Sequence, residues 1–357
     1  MNLSRRYFFQ AVAGVGGLTA LRAQVAGPST PPLTFSQEPA TKSTVAIVKG
    51  EVRRQNVADA LNAIDHEIRP VIQRKKYVVI KVNNVSTERQ LAATHADALW
   101  GILDYLQPKY KLPVTIVESS AGDTMTGFRN FKYDKLAADS AARNVSLLDL
   151  NADARYEIMP LIDYNLHPQT VRLAARLLDP DAYIINACML KTHNAAIATL
   201  SVKNMVLGAP LHQGPKESSR WNDKRKYHAG VRQMHYNMLL TAQKMRPFWG
   251  CSVIDGYEGM EGNGPASGNP VASRLAIAST DFIAADRVGV ECMGIDPAWP
   301  GYLNYCGQLG LGNYDIAKID VIGEKIANVQ KKYQMHSDIE RELMWMGDMR
   351  DLPPRLG

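Results

Sequence analysis

Two lysines and a histidine stand in an otherwise apolar, small-residue segment, "MLKTHNAAIATLSVKNMVLGAP", at residues 189–210. Lys191 and His193 follow an apolar run of strand length, and an extended chain would point both side chains to the same side. Lys203 comes next, where a helix is predicted to begin. A lysine in a partly dry cleft can act as a general base or hold an anion, and histidine can act as acid, base or metal ligand. We therefore predict catalytic roles for Lys191, His193 and Lys203, against the alternative of a polar helix face and a structural histidine.

A glycine-rich segment, "IDGYEGMEGNGPASGNP", carries three acids at three-residue intervals: Asp255, Glu258 and Glu261. Glycines let a backbone approach a ligand closely and can form an anion-binding nest. Carboxylates in the same loop can instead bind a hard cation through their oxygens. No Gly-Lys-Ser/Thr ends the run, so it is not a phosphate loop. We predict a divalent-metal site at these three acids, the alternative being a turn whose acids are solvated.

A basic segment follows the first motif, "GPKESSRWNDKRKYHAGVRQMHYN". Trp221 with Lys224, Arg225 and Lys226 could form a lid over an anionic ligand, although a solvated charged loop is the more common explanation of such a pattern. His228 stands at the junction of this loop with a predicted helix and is the better candidate for substrate binding. His235, seven residues on, would lie roughly 10 Å away along a helix, too far to share one metal ion.

The elements that must position these residues alternate along the chain. "STVAIVKG", "KYVVIKVN", "PVTIVESS", "VSLLDL", "DAYIINAC", "WGCSVIDG", "RLAIAST" and "IAKIDVIG" have the composition of strands, and several are separated by segments of helical periodicity. This order predicts an α/β fold with a largely parallel sheet and helices on both faces. In such sheets sites lie beyond the carboxyl ends of the strands. Polar residues gather there, namely Asn83, Asn84, Glu118, Ser119, Ser120, Lys191, His193 and Asp255.

The two ends of the chain differ from the middle. "MNLSRRYFFQAVAGVGGLTALRAQVAG" has the paired arginines and short apolar run of a twin-arginine signal. The run at 11–21 is too short for a stable transmembrane anchor. We predict a signal peptide at 1–26, a linker rich in proline, serine and threonine at 27–42, a single α/β domain at 43–330 and a helical extension at 331–357. The predicted partner is the twin-arginine export machinery, and the predicted location is periplasmic or extracytoplasmic.

Charge and cysteine content limit the classes of function. The formal charge of +6 falls to +3 without the three arginines of the signal, which is too weak to indicate nucleic-acid binding. The four cysteines, Cys188, Cys251, Cys292 and Cys306, lack Cys-x-x-Cys spacing, so neither an iron-sulfur cluster nor a structural zinc site is expected. Buried free thiols are favoured, and disulfides remain open in an oxidising compartment.

Six ordered motifs resemble the domain of unknown function family 362: "KVNN", "THADAL", "DAYIINACMLKTH", "SVKNMVLGAP", "VIDGYEGMEGNGP" and "DFIAADRVG". The resemblance covers nearly all of the chain from about Val45 to Ile322. Many relatives carry a cysteine-rich ferredoxin-like segment that this chain lacks, so no electron-transfer role is expected. The resemblance implies recurrent polar positions at Asn83, Lys191, His193, Lys203, Asn204, His228, Asp255, Glu258, Glu261 and Asp286. A weaker resemblance links residues 203–210 to the nickel-pincer lactate racemases, in which a lysine holds the cofactor.

Together these patterns predict an exported enzyme that acts on a small anionic substrate by lysine and histidine acid-base chemistry, with a divalent metal as a possible cofactor. Asn83, Asn204 and His228 are the predicted substrate-binding residues. A non-catalytic binding or cofactor-carrier protein is the alternative, and a racemase or epimerase is a further one. Neither substrate nor reaction type follows from the residues.

Overall fold

The computed structural model describes residues 42–139, 144–153, 155–213 and 221–347. The predicted signal peptide and all but the last residue of the predicted linker lie outside these ranges. The strands are β1 Ser43–Lys49, β2 Tyr77–Lys81, β3 Val114–Glu118, β4 Val145–Asp149, β5 Tyr156–Ile162, β6 Pro168–Ala174, β7 Ala182–His193, β8 Ile197–Thr199, β9 Trp249–Glu261, β10 Asn269–Val271, β11 Leu275–Ser279 and β12 Ile319–Gly323.

The helices cover the sheet and connect its strands. They are α1 Arg53–Ala63, α2 Asp65–Ile72, α3 Ala96–Leu106, α4 Thr124–Asn130, α5 Tyr133–Asp139, α6 Leu150–Asp153, α7 Ser201–Gly208, α8 Val231–Met245, α9 Phe282–Cys292, α10 Gly301–Gln308, α11 Ile326–Val329 and α12 Ile339–Glu342. In the part of the chain that the structure describes, no helix is both long and apolar enough to cross a membrane.

The main sheet is largely parallel, as the sequence predicts. Its strand order is β12-β1-β11-β9-β7-β2-β3-β4, with β8 paired to β7 and β10 paired to β9. Along this path of described strands, β11 alone runs against its neighbours β1 and β9. The other adjacent pairs are parallel. The carboxyl ends of β2, β3, β7 and β9 therefore share one edge.

Hydrophobic side chains fill both faces of the sheet, because successive residues of a strand point to opposite sides. On one face, Val79 and Ile184 pack in a cluster that includes residues of α7, α8 and α9. On the other, Ile80 and Ile185 pack with residues of α1, α2 and α3. Burial on both sides explains why these strands are continuous apolar runs rather than alternating ones.

Two strands are longer than predicted. β7 does not end at Cys188 but continues to His193, and all its residues are buried. β9 likewise passes Asp255 and reaches Glu261, so the acids predicted to lie in a loop belong to a strand. The extensions occur because β8 and β10 fold back to pair with these ends, which supplies partners for backbone groups that the main sheet would leave open.

A second, two-stranded sheet was not predicted. Strands β5 and β6 form an antiparallel hairpin between β4 and β7. Its residues alternate poorly between apolar and polar, which hides the strand pattern in the sequence.

The segment that follows β12 packs back on the domain. Gly262 N donates to Gln334 O at 2.7 Å, and Ile197 N donates to Glu342 Oε2 at 3.0 Å. Within the described part of the predicted extension, only α12 and the short 3-10 helix 343–346 are helical. The four cysteines are free and buried, as expected.

Candidate functional site

A cavity of about 450 Å³ opens at the carboxyl edge of the sheet. Strands β2, β3 and β7, helix α7 and residues 222–228 supply its walls. The described lining residues are Lys81, Asn83, Asn84, Val85, Glu118, Ser119, Ser120, Ala121, His193, Asn194, Lys203, Asn204, Leu207, Gly208, Asn222, Lys224, Arg225, His228 and Pro265. Four of these residues are lysine or arginine and one is a carboxylate, so the cavity favours an anionic occupant.

Lys81 and Glu118 form a buried ion pair at the floor of the cavity. Lys81 Nζ lies 2.9 Å from Glu118 Oε1 and also donates to Val82 O at 2.6 Å. Glu118 accepts from the backbone N–H groups of Asn84 and Ser119, each at 2.8 Å. A buried pair with its remaining hydrogen-bonding positions filled is held in one geometry. Glu118 is therefore committed to Lys81, and Lys203 and Lys224 have no ion-pair partner among the described residues.

Three asparagines connect the floor to helix α7. Asn83 Nδ2 donates to Asn204 Oδ1 at 2.8 Å, and Asn204 Nδ2 donates to Asn186 Oδ1 at 2.7 Å. Asn186 Nδ2 in turn donates to Ser201 O at 2.8 Å. Lys81 Nζ also donates to Asn204 Oδ1 at 3.2 Å. This contact agrees with an Asn204 amide whose Oδ1 accepts and whose Nδ2 donates. Each amide is thus oriented by its neighbours, and Asn83 and Asn204 form a rigid wall.

Lys191 lies behind this wall rather than in the cavity. Its Nζ donates to Asn83 Oδ1 at 2.5 Å and to Ala92 O at 3.2 Å, and the side chain is fully buried. Burial lowers the pKa of Lys191 to about 7. The predicted catalytic lysine does not line the cavity, and its contacts hold Asn83 in place.

Lys203 projects from the first turn of α7 into the cavity. The residue is 5% exposed, and among the described residues its Nζ has no hydrogen-bond or ion-pair partner. Burial lowers its pKa well below the usual value, and the nearby lysines 191, 224 and 81 add to this effect. The lowered pKa of Lys203 favours the uncharged amine, which is the form that a general base requires, and the side chain lines the cavity.

Asp286 on α9 fixes the start of α7. Its two carboxylate oxygens accept from Ser201 N at 2.6 Å and from Val202 N at 2.9 Å. These N–H groups belong to the first turn of a helix, where they have no partner within the helix. Burial raises the pKa of Asp286 to about 8. Asp286 thus has the geometry of a helix cap supplied from another element, and it positions Lys203.

His193 ends β7 beside Lys203. Its Nδ1 accepts from the backbone N–H groups of Ala195 and Ala196 at 3.0 and 3.2 Å. Burial lowers the pKa of His193 well below its usual range. A neutral histidine whose Nδ1 accepts carries its proton on Nε2. His193 can therefore offer an N–H group to an oxygen of a bound molecule.

Lys224 enters from the segment that covers the cavity. Its Nζ donates to Ser119 Oγ at 2.8 Å and to Leu207 O at 2.9 Å. Burial lowers the pKa of Lys224 to about 7, with Lys81 adding to the effect and Glu118 opposing it. The side chain predicted as part of a lid is thus a wall residue, and its third N–H has no acceptor among the described residues.

The three acids of the predicted metal site do not line the cavity. Asp255 lies 3.2 Å from Arg53 Nε, Glu258 is exposed, and Glu261 accepts from Gln334 N at 2.9 Å. In the described ranges no group of three or more His, Cys, Asp or Glu residues could hold a metal ion. The structure does not assemble these acids into a metal site. Strand β9 continues through all three, Arg53 pairs with Asp255, and Gln334 N donates to Glu261.

The remaining candidates occupy different positions. His228 is exposed at the rim, where its Nδ1 lies 2.9 Å from Lys224 O. His235 lies in α8, away from the cavity, with Nδ1 accepting from Tyr302 N at 3.1 Å. Asp281 caps α9 by accepting from Ile283 N and Ala284 N, as its place before the helix suggests.

Sequence reasoning missed the central role of Lys81 and underrated Glu118 and Lys224. Lys81 is the last residue of the strand sequence "YVVIK". A charged residue at the end of a buried apolar strand is unusual and could have marked Lys81 as a site candidate. Gly208 marks the same place, because a Cβ there would lie 2.3 Å from Lys81 Nζ. The pairing of Lys81 with Glu118 follows from the adjacency of β2 and β3.

Fold and site define an α/β protein with a lysine-rich cleft at the carboxyl edge of a mainly parallel sheet. The chain belongs to the family described as "Domain of unknown function (DUF362)", whose model matches residues 78–291. The predicted family is thereby confirmed, and the twin-arginine subgroup stays a prediction.

Two further comparisons give partial similarity. Over 130 residues the chain is 32% identical to the thylakoid-associated protein sll1697 of Synechocystis sp., a match that covers 36% of this chain and 37% of that protein. The chain thus spans little more than a third of that relative. A crystal structure of a Thermotoga maritima protein aligns with a TM-score of 0.38 and 11% identity, covering 62% of this chain and 55% of the other.

Proposed function

We propose that the protein is an enzyme that binds a small anionic substrate in this cavity and moves a proton with Lys203 and His193. The observation that carries the proposal is Lys203, a buried amine without a partner among the described residues that faces a 450 Å³ cavity. Keeping a lysine buried and uncharged costs stability, and such a cost is common where a side chain serves chemistry.

Lys203 and His193 each have one role in the proposed reaction. The Lys203 amine accepts a proton from a C–H or O–H group of the substrate. His193 Nε2–H donates a hydrogen bond to the substrate oxygen on which negative charge develops. Glu118 is paired with Lys81 and so does not compete for the Lys203 amine. Proton return from Lys203 to the same carbon, to either face, would complete an exchange or an epimerisation without another reactant.

The test detects proton transfer even when the final product is unknown. A panel of small 2-hydroxy, 2-keto and phosphorylated acids is incubated with the protein in D2O, and loss of C–H signals is followed by proton NMR. Wild type should exchange at least one compound, and Lys203→Met should abolish that exchange while the exposed Lys111→Met retains it.

Two results would contradict the proposal. Saturable binding of a panel member with no exchange and no product would indicate a non-catalytic binding protein. Full exchange by Lys203→Met would assign the base to another group.

We also propose that the protein is exported through the twin-arginine route. The support is the Arg5-Arg6 pair followed by a short apolar run, residues that lie outside the described ranges. Buried free thiols are compatible with a chain that folds before it reaches an oxidising compartment.

A further inference from the structure

The wall formed by Lys224, Ser119 and Ser120 contains unused hydrogen-bonding capacity. Lys224 has three N–H donors, of which Ser119 Oγ and Leu207 O take two. Ser120 is 2% exposed, lines the cavity, and its Oγ has no partner among the described residues. A buried hydroxyl without a partner costs free energy, and a ligand oxygen would remove that cost.

The backbone around Ser120 is fixed independently of its hydroxyl. Ser120 N donates to Thr124 Oγ1 at 3.1 Å, and Ser120 O lies 2.6 Å from His212 Nε2. Ser119 Oγ is likewise held, since it donates to Gly208 O at 2.6 Å. The wall is therefore built before a ligand binds, which reduces the entropy lost on binding.

This wall is distinct from the proton-transfer end. Lys224 Nζ contacts Ser119 Oγ, just beyond β3, and Leu207 O, whereas His193 ends β7 with its Nδ1 on the N–H groups of Ala195 and Ala196. Strand β2 lies between β3 and β7 in the sheet, and Lys203 is on α7. The cavity thus has an end with a lysine and a free hydroxyl and another end with a histidine N–H.

We propose that Lys224 and Ser120 form an oxyanion subsite that holds the acidic group of the substrate, a carboxylate or a phosphate, while the group that loses its proton lies at Lys203. The placement of the reacting group at Lys203 rests on the proposed function. The subsite extends that proposal by naming the end of the cavity that recognises the acidic group. The lysine supplies a compact positive charge, and the Ser120 hydroxyl supplies a neutral donor that can rotate. Together they suit an oxyanion. Neither residue was among the substrate-binding candidates of the sequence.

Inorganic phosphate and acetate serve as minimal probes, titrated calorimetrically into the full chain at pH 6.5. Wild type should bind at least one of them, and the preferred probe separates a phosphate subsite from a carboxylate subsite. Lys224→Met should weaken that binding by about 10–100-fold, as expected for a charge-assisted contact. Lys224→Arg should keep part of it, and the exposed Lys111→Met should leave it within about threefold.

Ser120→Ala protects the test against loss of fold, because Ser120 Oγ has no described protein contact to lose. It should weaken binding by about 3–10-fold without lowering the melting temperature, because it removes a buried hydroxyl that has no partner. Absence of binding for both probes to wild type, or unchanged binding in both Lys224→Met and Ser120→Ala, would overturn the subsite. Failure of the D2O exchange alone would contradict the proposed proton transfer and leave the subsite standing.

Discussion

Lys203 is the residue at which stability and chemistry conflict most directly. Its amine is buried, faces other lysines and has no carboxylate partner among the described residues, since Glu118 is taken by Lys81. The sequence marked Lys203 as a candidate, because a lysine in a run of apolar and small residues is unusual, and the structure places it in the lining of the cavity. It could not tell Lys203 from Lys191, which has the same setting in sequence but bonds Asn83 behind the cavity.

Replacing Lys203 by methionine should stabilise the protein near neutral pH. The pKa of Lys203 is lowered in the folded state, so between that value and about 10.4 the unfolded chain binds a proton that the folded chain does not. Wild-type stability therefore rises with pH across this window. Lys203→Met removes the penalty and should gain about 1–2 kcal/mol at pH 7, with the advantage shrinking towards pH 10.

Urea unfolding of both proteins at pH 7 and pH 10 measures this difference. The exposed Lys111→Met provides the control and should change little at either pH. A Lys203→Met protein that is less stable than wild type at pH 7 would show that Lys203 is charged and paired in solution.

At the scale of elements, α7 is positioned by its neighbours more than by its own sequence. It is eight residues long, has no side-chain cap of its own, and begins at Ser201 under the carboxylate of Asp286. The sequence predicted a helix start there and marked Asp286 only through the family resemblance. The cap could not be derived from the residues, because it joins positions 85 apart in sequence.

Removing the Asp286 carboxylate should loosen α7. Asp286→Ala leaves two buried N–H groups without an acceptor, at a cost of about 2–4 kcal/mol, whereas Asp286→Asn keeps one acceptor and should lose less. Thermal unfolding gives the ranking, and D2O exchange shows whether Lys203 has moved. Equal stability of Asp286→Ala and wild type would rule out the capping role.

Gly208 tests the packing between α7 and the cavity floor. A Cβ at this position would lie 2.3 Å from both Cε and Nζ of Lys81, so Gly208→Ala should push Lys81 away from Glu118. The expected loss of stability is about 1–3 kcal/mol. Gly122→Ala is the matched control, since its nearest neighbour would be Thr87 Oγ1 at 3.4 Å. Similar melting temperatures for the two variants would contradict the close approach.

At the scale of the whole molecule, the apolar runs and their order were enough to predict the class of fold and the edge at which the cavity lies. The strand order was not predictable, because apolar runs such as "VVI" and "YIINA" carry no record of their neighbours. The same limit applies to the three acids of β9. Their spacing suggests a loop site, whereas pairing with β10 and contacts from the C-terminal segment decide their environment.

The proposed export route is a property of the whole chain and can be tested on it. Changing Arg5 and Arg6 together to lysine should retain the protein in the cytoplasm, because the paired arginines are the feature that the route recognises. Cell fractionation followed by immunoblotting measures the distribution. Arg22→Lys, within the same predicted signal but outside the pair, is the control and should be exported normally.

The position of β1 in the sheet determines how late in synthesis the sheet can be completed. Of the strands that the structure describes, β1 is synthesised first, whereas its two neighbours in the sheet, β11 and β12, are synthesised last. Residues 43–49 therefore gain these partners only after residues 275–323 have left the ribosome, and contacts between such distant segments form slowly. This part of the sheet is completed only after β12 has been made, so export of a folded chain would have to follow that step.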